Sequence, residues 1–278
     1  MRLALIANER SGGGLEPEAL VGSLRRQGAE VERFSLDERE GAAGGGFERI
    51  AVAGGDGSIG CAAELAGRLG LPLAVIPAGT ANDFARAHSL PLTLEPALEL
   101  AVHGERLELL ELGFLGDRPF VNVVSAGLAP EAARLAHRHK GRLGALAYLV
   151  GALQAGLTAK PVSCAVLVDG AALFEGRSWQ LIVSVSGAFG GGSSVDDADP
   201  GDGVLHVTVI PAGSRLGLLR RAVGLRRGDV TDQPGVVEAE GVHVELGLQP
   251  DAEVNVDGEL QAPAPITVRP RTFRLVAA

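Results

Sequence analysis

Residues Arg49 to Gly67 read RIAVAGGDGSIGCAAELAG, and this stretch decides the fold. A short apolar run, Ile50 to Ala53, reads as a strand and a helical pattern runs from Ile59 to Leu69. Between them lies Gly54-Gly55-Asp56-Gly57-Ser58-Ile59-Gly60, in which four of seven residues are glycine. Glycine belongs where backbone must approach a ligand, and a strand–loop–helix unit offers bare N–H groups and the positive end of a helix to a phosphate. Asp56 would repel that phosphate unless a divalent cation lay between them. The stretch therefore fits a phosphate cradle with a metal-facing acid. Taken alone it also fits a plain glycine turn with Asp56 as an N-terminal charge.

Working outward, Leu3–Ala7, Val31–Leu36 and Leu73–Ile76 read as further strands, and Pro17–Arg26 and Pro96–Val102 as helices. Strands separated by helices of this length predict a parallel sheet covered on both faces. After about Leu112 the texture changes. Extended, β-branched segments at 119–124, 162–168, 180–185, 205–210, 242–246 and 253–256 predict a mostly antiparallel second domain, interrupted by helical patches at 131–155 and 216–226. Ile266 to Val276 is strand-like, but its pattern assigns it to neither sheet.

At 278 residues the chain has room for two ordinary domains, and 46% hydrophobic with 21% charged residues is a soluble globular balance. A formal net charge of −9 argues against nucleic acid as the main partner. Cys61 and Cys164 form no Cys-x-x-Cys pair, which fits a reducing cytoplasm and neither a disulfide framework nor a thiolate zinc site. The N-terminal apolar run, Leu3 to Ala7, is too short for a secretion signal, and the uncharged stretch from Leu143 to Thr158 is shorter than the roughly 20 residues that cross a bilayer.

Gly55, Gly57 and Gly60 also match the G-x-G-x-x-G fingerprint of dinucleotide folds. That fingerprint wants an acid at the end of the next strand, and here the strand ends Val75-Ile76-Pro77-Ala78-Gly79-Thr80. A second strand-end loop follows instead, Gly79-Thr80-Ala81-Asn82-Asp83-Phe84-Ala85-Arg86. Paired with Gly54–Ser58 and with the early ANERSGGG loop, it resembles the diacylglycerol kinase catalytic-domain family, which includes bacterial lipid kinases and sphingosine kinases. The resemblance covers nearly the whole chain.

The resemblance implies a three-layer α/β nucleotide-binding lobe over 1–115, completed by 265–278, and a β-sandwich lipid-binding lobe over 116–264, with the active site in the cleft between them. Asn8, Ser11 and Gly12 match an early family loop in which Glu9 stands for a proline. Gly54, Gly55, Asp56, Gly57 and Ser58 match the nucleotide loop, with Ser58 keeping the hydroxyl of a family threonine and Gly60-Cys61 replacing an Asn-Glu pair. Ser35, Gly79 and Thr80 match further ATP-contacting positions. Asn122 opens a segment in which Ala129 occupies an acidic position, and Lys140 to Tyr148 resembles a family helix. Within a glycine-rich loop, Asp202 matches a side-chain ligand of a structural Mg²⁺, with Asp199 and Val204 supplying carbonyls. Asn255 to Glu259, NVDGE, resembles an Asp-Gly-Glu turn.

The activity implied is ATP- and Mg²⁺-dependent phosphorylation of a lipid hydroxyl, diacylglycerol-like or sphingoid. Asp56 would recruit Mg²⁺, and Glu259 would take the hydroxyl proton, a role some family accounts give to Asp56. Ser214 to Asp229 interleaves five leucine or valine residues with five arginines, a pattern suited either to an anionic membrane surface or to an ordinary solvated helix. A cytoplasmic enzyme is expected from the cysteine usage; the 214–229 pattern leaves peripheral contact with the inner membrane face open, and the resemblance leaves a homodimer open. Two rivals stay open. Phosphotransferases on soluble acceptors, such as NAD kinases and phosphofructokinases, also carry Gly-Asp-Gly but lack the GTANDF continuation. A nucleotide- or lipid-binding relative without turnover would suit the replacements at Gly60, Cys61 and Ala129.

Overall fold

In the computed structural model the described residues are 1–8, 16–128, 160–189, 193–194, 201–214, 234–249 and 252–278. The first lobe alternates as predicted: β1 (Arg2–Ala7), α1 (Pro17–Arg26), β2 (Glu30–Ser35), a 3-10 turn (Arg39–Gly44), β3 (Arg49–Gly54), α2 (Asp56–Leu69), β4 (Pro72–Pro77), α3 (Asp83–Ala87) and α4 (Leu94–His103). Pro17 opens α1, where its missing N–H leaves no helix acceptor unmet, and Leu20, Val21 and Leu24 bury one side of that helix. The four strands are parallel in the order β4-β3-β1-β2.

Two apolar layers cover this sheet. Ile6, Ile50 and Val52 pack with Ile59 and Leu65 of α2 and with Phe84 and Phe273 on one face. Leu3, Leu5 and Ala51 pack with Leu24 of α1 and Leu98 of α4 on the other. Such two-sided burial is why β1 and β3 read as continuous apolar runs rather than alternating ones.

The chain continues through β5 (Leu107–Leu115), whose Leu110, Leu112 and Phe114 pack into the first core, and then β6 (Arg118–Phe120), β7 (Val123–Gly127), β8 (Val162–Val168), β9 (Ala171–Ser184), β10 (Ala188–Phe189), β11 (Ser193–Ser194), β12 (Leu205–Pro211), β13 (Val237–Gly241), β14 (His243–Leu248), β15 (Val254–Val256), β16 (Glu259–Gln261) and β17 (Ile266–Val276). Pairing among β7, β8, β9, β12, β13, β14, β15 and β16 is antiparallel throughout, around a core that includes Val124, Val166, Leu181, Val183 and Val207. The last strand joins the lobes. Ile266 and Thr267 of β17 pair with β14 of the sandwich, whereas Arg274 and Leu275 pair in parallel with β4.

Helix α2 differs from the sequence reading, and β5 falls on residues to which that reading assigned no element. Helix α2 begins at Asp56 rather than Ile59, with Gly55 as its N-cap and the N–H groups of Ser58 and Ile59 both reaching the Gly55 carbonyl at 2.9 and 3.2 Å. An acid in the first turn complements the positive helix end, so the glycine loop is half helix. Strand β5, whose LELLELGFL has helix-forming composition, is extended because it pairs antiparallel along the length of β17. There tertiary pairing overrides local propensity. The predicted helical patches at 131–155 and 216–226 lie outside the described residues.

Candidate active site

Strands β1 and β3 are neighbours, yet the chain leaves β1 toward β2 and leaves β3 toward β4. Open α/β sheets bind ligands in the crevice that such diverging connections create at the carboxyl ends of the strands. Asn8, Ser35, Gly54–Ser58 and the 78–82 loop all sit at those ends.

Side chains tie these loops to one another. Asn8 donates through Nδ2 to the Ser58 hydroxyl at 2.8 Å, and its own N–H reaches the Ala53 carbonyl at 3.0 Å. The Asn82 Oδ1 accepts from the Gly79 N–H at 2.8 Å, with Asn82 itself in the left-handed region at φ 52. The two glycine loops touch: a Cβ at Gly79 would lie 2.8 Å from the Gly55 Cα. A side chain at Gly79 would collide with the facing loop, and one at Gly55 would be tight at 3.3 Å from the Gly79 Cα.

Asp56 is buried, and its carboxylate accepts the N–H of Asp83 at 3.3 Å and of Phe84 at 2.9 Å. It caps α3 from the start of α2. The acid of the first loop thus braces the second loop, a contact the sequence reading did not contain.

The sandwich contributes the Asn255–Glu259 turn. Asp257, left-handed at φ 46, accepts three backbone N–H groups, from Val121 at 2.8 Å, Asn122 at 3.1 Å and Val123 at 2.9 Å. Burial pushes its carboxyl up to about 7, and the negative charge of Asp56 adds to the rise while the three N–H groups oppose it. Two carboxylates from different lobes therefore share one electrostatic environment. Two residues on, Glu259 stands over the first turn of α2: a Cβ at Gly57 would lie 3.1 Å from Glu259 Oε1. Arg118, at the start of β6, reaches the other oxygen of Glu259 at 2.6 Å.

The structure thus gathers Asn8, Gly54, Gly55, Asp56, Gly57, Ser58, Gly79 and Glu259 at one place. Ser35 stands at the same sheet end, but its hydroxyl is committed to Glu38, donating to Oε2 at 2.7 Å and accepting from the Glu38 N–H at 3.2 Å. Thr80 is exposed on the second loop. Asp202 is held locally, accepting from the Val204 N–H at 2.9 Å and meeting His206 Nε2 at 2.9 Å. Asp199, Ser11, Gly12, Ala129 and the basic stretch 215–229 lie outside the described residues. Among the described residues no group of three or more His, Cys, Asp or Glu is arranged to hold a metal ion, and no helix is long and apolar enough to cross a membrane.

Comparisons with known proteins bear on this arrangement. Residues 2–111 match the diacylglycerol kinase catalytic domain, and residues 122–277 match the YegS C-terminal NAD kinase beta sandwich-like domain. The chain belongs to the diacylglycerol kinase family. It is accordingly a lipid kinase, a phosphotransferase with an alcohol group as acceptor. It is 34% identical to a YegS-like lipid kinase of Pseudomonas putida over 78% of this chain and 72% of that one. It is 28% identical to a diacylglycerol kinase of Mycobacterium tuberculosis over 96% and 91% of the respective chains. A diacylglycerol kinase structure from Bacillus anthracis shares the fold, with a TM-score of 0.78 over 100% of this chain and 97% of that one at 20% identity.

Within this lipid kinase, sequence reasoning missed Asp257 and Arg118. Asp257 carried a usable signal, an Asp-Gly pair closing a short strand. Arg118 carried none, since the Gly-Asp-Arg-Pro of its hairpin reads as ordinary turn chemistry. Gly60, which departs from the family's asparagine, has a packing reason: a Cβ there would lie 2.9 Å from the Pro119 carbonyl, so glycine lets β6 press against α2.

Proposed function

We propose that this lipid kinase transfers the γ-phosphoryl of ATP, with Mg²⁺, to a hydroxyl of a diacylglycerol-like or sphingoid lipid. The observation that carries the reading is the seat of Glu259, an exposed carboxylate from one lobe held directly over the phosphate-facing helix start of the other.

In this reading the N–H groups at the start of α2, beside Gly54, Gly55, Gly57 and Ser58, hold the phosphates, with Gly79 and Thr80 bordering them and Asn8 fixing the Ser58 hydroxyl. Glu259 accepts the acceptor hydroxyl proton as the oxygen attacks. The residues present fit Mg²⁺. The negative charge of Asp56 adds to the upward push on the buried Asp257 carboxyl, and a divalent cation near Asp56 would offset that charge. When bound, the ion would neutralise charge developing on the transferred group. Of the second ion's expected ligands, Asp199 lies outside the described residues and Asp202 meets the Val204 N–H and His206, so one described carboxylate is left to hold it. No step depends on it.

Label transfer from γ-labelled ATP to micellar diacylglycerol, phosphatidylglycerol, sphingosine and ceramide, and to soluble NAD and fructose 6-phosphate, tests the proposal. Labelled lipid that disappears in Asp56→Ala is the expected outcome. Label in NAD or fructose 6-phosphate alone would overturn the lipid assignment. ATP binding with no transfer to any acceptor would leave a non-catalytic relative.

A further inference from the structure

We infer that Arg118 is a second functional side chain of this site, binding the terminal phosphate of the nucleotide through its guanidinium while it holds Glu259 toward the acceptor hydroxyl. The inference rests on the proposed function above.

The backbone that carries Arg118 is fixed on every side. Strand β6 pairs with the end of β5, Leu115 opposite Arg118 and Gly113 opposite Phe120, across a turn in which Gly116 is left-handed at φ 57. Phe120 is fully buried against Gly113, and the Pro119 carbonyl rests on Gly60 of α2. The next three N–H groups, of residues 121–123, are locked onto Asp257. Arg118 therefore cannot be carried away from α2 without disturbing both lobes.

Its side chain points at the right place. The Nη2 atom lies 2.6 Å from Glu259 Oε2 and would be 4.0 Å from a Cβ at Gly57. The same guanidinium, with Arg39, opposes the upward push that burial gives the Cys61 thiol in the second turn of α2. A glutamate alone at this spot would repel the phosphate it must serve. A guanidinium removes that conflict, because its five N–H donors can serve a carboxylate and a phosphate at once.

The pair with Glu259 is also weak enough to share. Arg118 is about one-third exposed and Glu259 well over half. Exposed ion pairs contribute little net stability, so little opposes the guanidinium turning part of its donor set to phosphate oxygens. In the transfer step the acceptor oxygen forms a bond to the γ-phosphorus, the bond from that phosphorus to the ADP oxygen breaks, and the hydroxyl proton goes to Glu259. Arg118 stays protonated throughout.

Arg118→Gln and Arg118→Lys, compared with wild type, test this by calorimetric titration with ATP and by KM for ATP and for the lipid measured separately. Arg118→Gln should bind ATP about 10- to 100-fold more weakly, with KM for ATP raised to match, since a charge-assisted hydrogen bond is being removed. KM for the lipid should stay within about twofold, and Arg118→Lys should recover part of the ATP affinity. A purely structural role would move both KM values, lower the melting temperature and show no rescue by lysine. ATP titrations of Arg118→Gln that overlay wild type would overturn this inference alone. Wild-type protein that binds no ATP would overturn the site reading and this inference with it.

Discussion

The molecule contains two Asp-Gly turns that face each other across the lobes, and they use the same residues differently. Asp56 follows a fully buried parallel strand and enters a helix, so its carboxylate meets the positive ends of two helices, its own α2 and the α3 it caps. Asp257 follows a short strand in a hairpin and takes a left-handed backbone, so its carboxylate meets three N–H groups of an extended segment and no helix end. Burial nonetheless pushes the Asp257 carboxyl up to about 7, and the charge of Asp56 adds to the rise. Hydrogen bonds to a carboxylate do not by themselves secure its charge. Burial and the sign of the nearest full charge decide it.

The sharpest division lies within the second turn, where Glu259 is exposed and Asp257 is built into the backbone. Glu259→Gln should lower kcat by roughly 10²- to 10⁴-fold, the range for losing a general base, with an unchanged urea midpoint. Asp257→Ala should cost about 2–3 kcal/mol of stability, because three backbone N–H groups lose their shared acceptor together. If Glu259→Gln unfolded at lower urea while Asp257→Ala did not, the division between a working acid and a bracing acid would be wrong.

This division also marks what was legible in the sequence. The parallel lobe was readable because buried strands such as Ile50–Ala53 and amphipathic helices such as Pro17–Arg26 carry their own periodicity. Strand β5 was not, since Leu107–Leu115 takes its conformation from β17, more than 150 residues later in the chain. The glycine loops and Asp56 stood out because a glycine-rich loop between strand and helix can hold a phosphate, whereas Glu259 was singled out only by the resemblance of its Asp-Gly-Glu turn to the family. The cross-braces did not. That Asp56 reaches residues 83–84, and Asp257 residues 121–123, depends on loops meeting in space, and no spacing along the chain encodes it.

Acid titration offers a second, smaller test of the same contrast. Between its ordinary value of 3.8 and about 7, Asp257 holds a proton in the folded chain that the unfolded chain releases, so its contribution to stability falls as pH rises through that window. His88 does the opposite. Burial beside Phe84, at 4.4 Å between ring centroids, lowers it from 6.5 to about 4, so stability is lost as pH falls between those values. Each group can tilt the stability curve by at most about 1.4 kcal/mol per pH unit. Thermal unfolding from pH 4 to 7 without nucleotide should show Asp257→Asn tilting the curve upward with pH and His88→Leu tilting it downward, relative to wild type. Two variants running parallel to wild type would remove the electrostatic half of the comparison.

The smallest effect concerns the left-handed residues that close each turn, Asn82 at φ 52 and Asp257 at φ 46. Asn82 spends its side-chain oxygen inside its own loop, on the Gly79 N–H, where Asp257 spends both oxygens on another segment. Asn82→Ala should therefore cost about 1–2 kcal/mol, combining a lost acceptor with the loss of asparagine's tolerance for the left-handed region. Asn82→Gly loses the same acceptor but gains a backbone at ease there, so its cost should be smaller by about 1 kcal/mol. Urea unfolding of the pair measures strain separately from hydrogen bonding. Equal losses in both would mean that the 79–82 loop is held by its hydrogen bond alone, and that its resemblance to the Asp257 turn stops at the backbone angle.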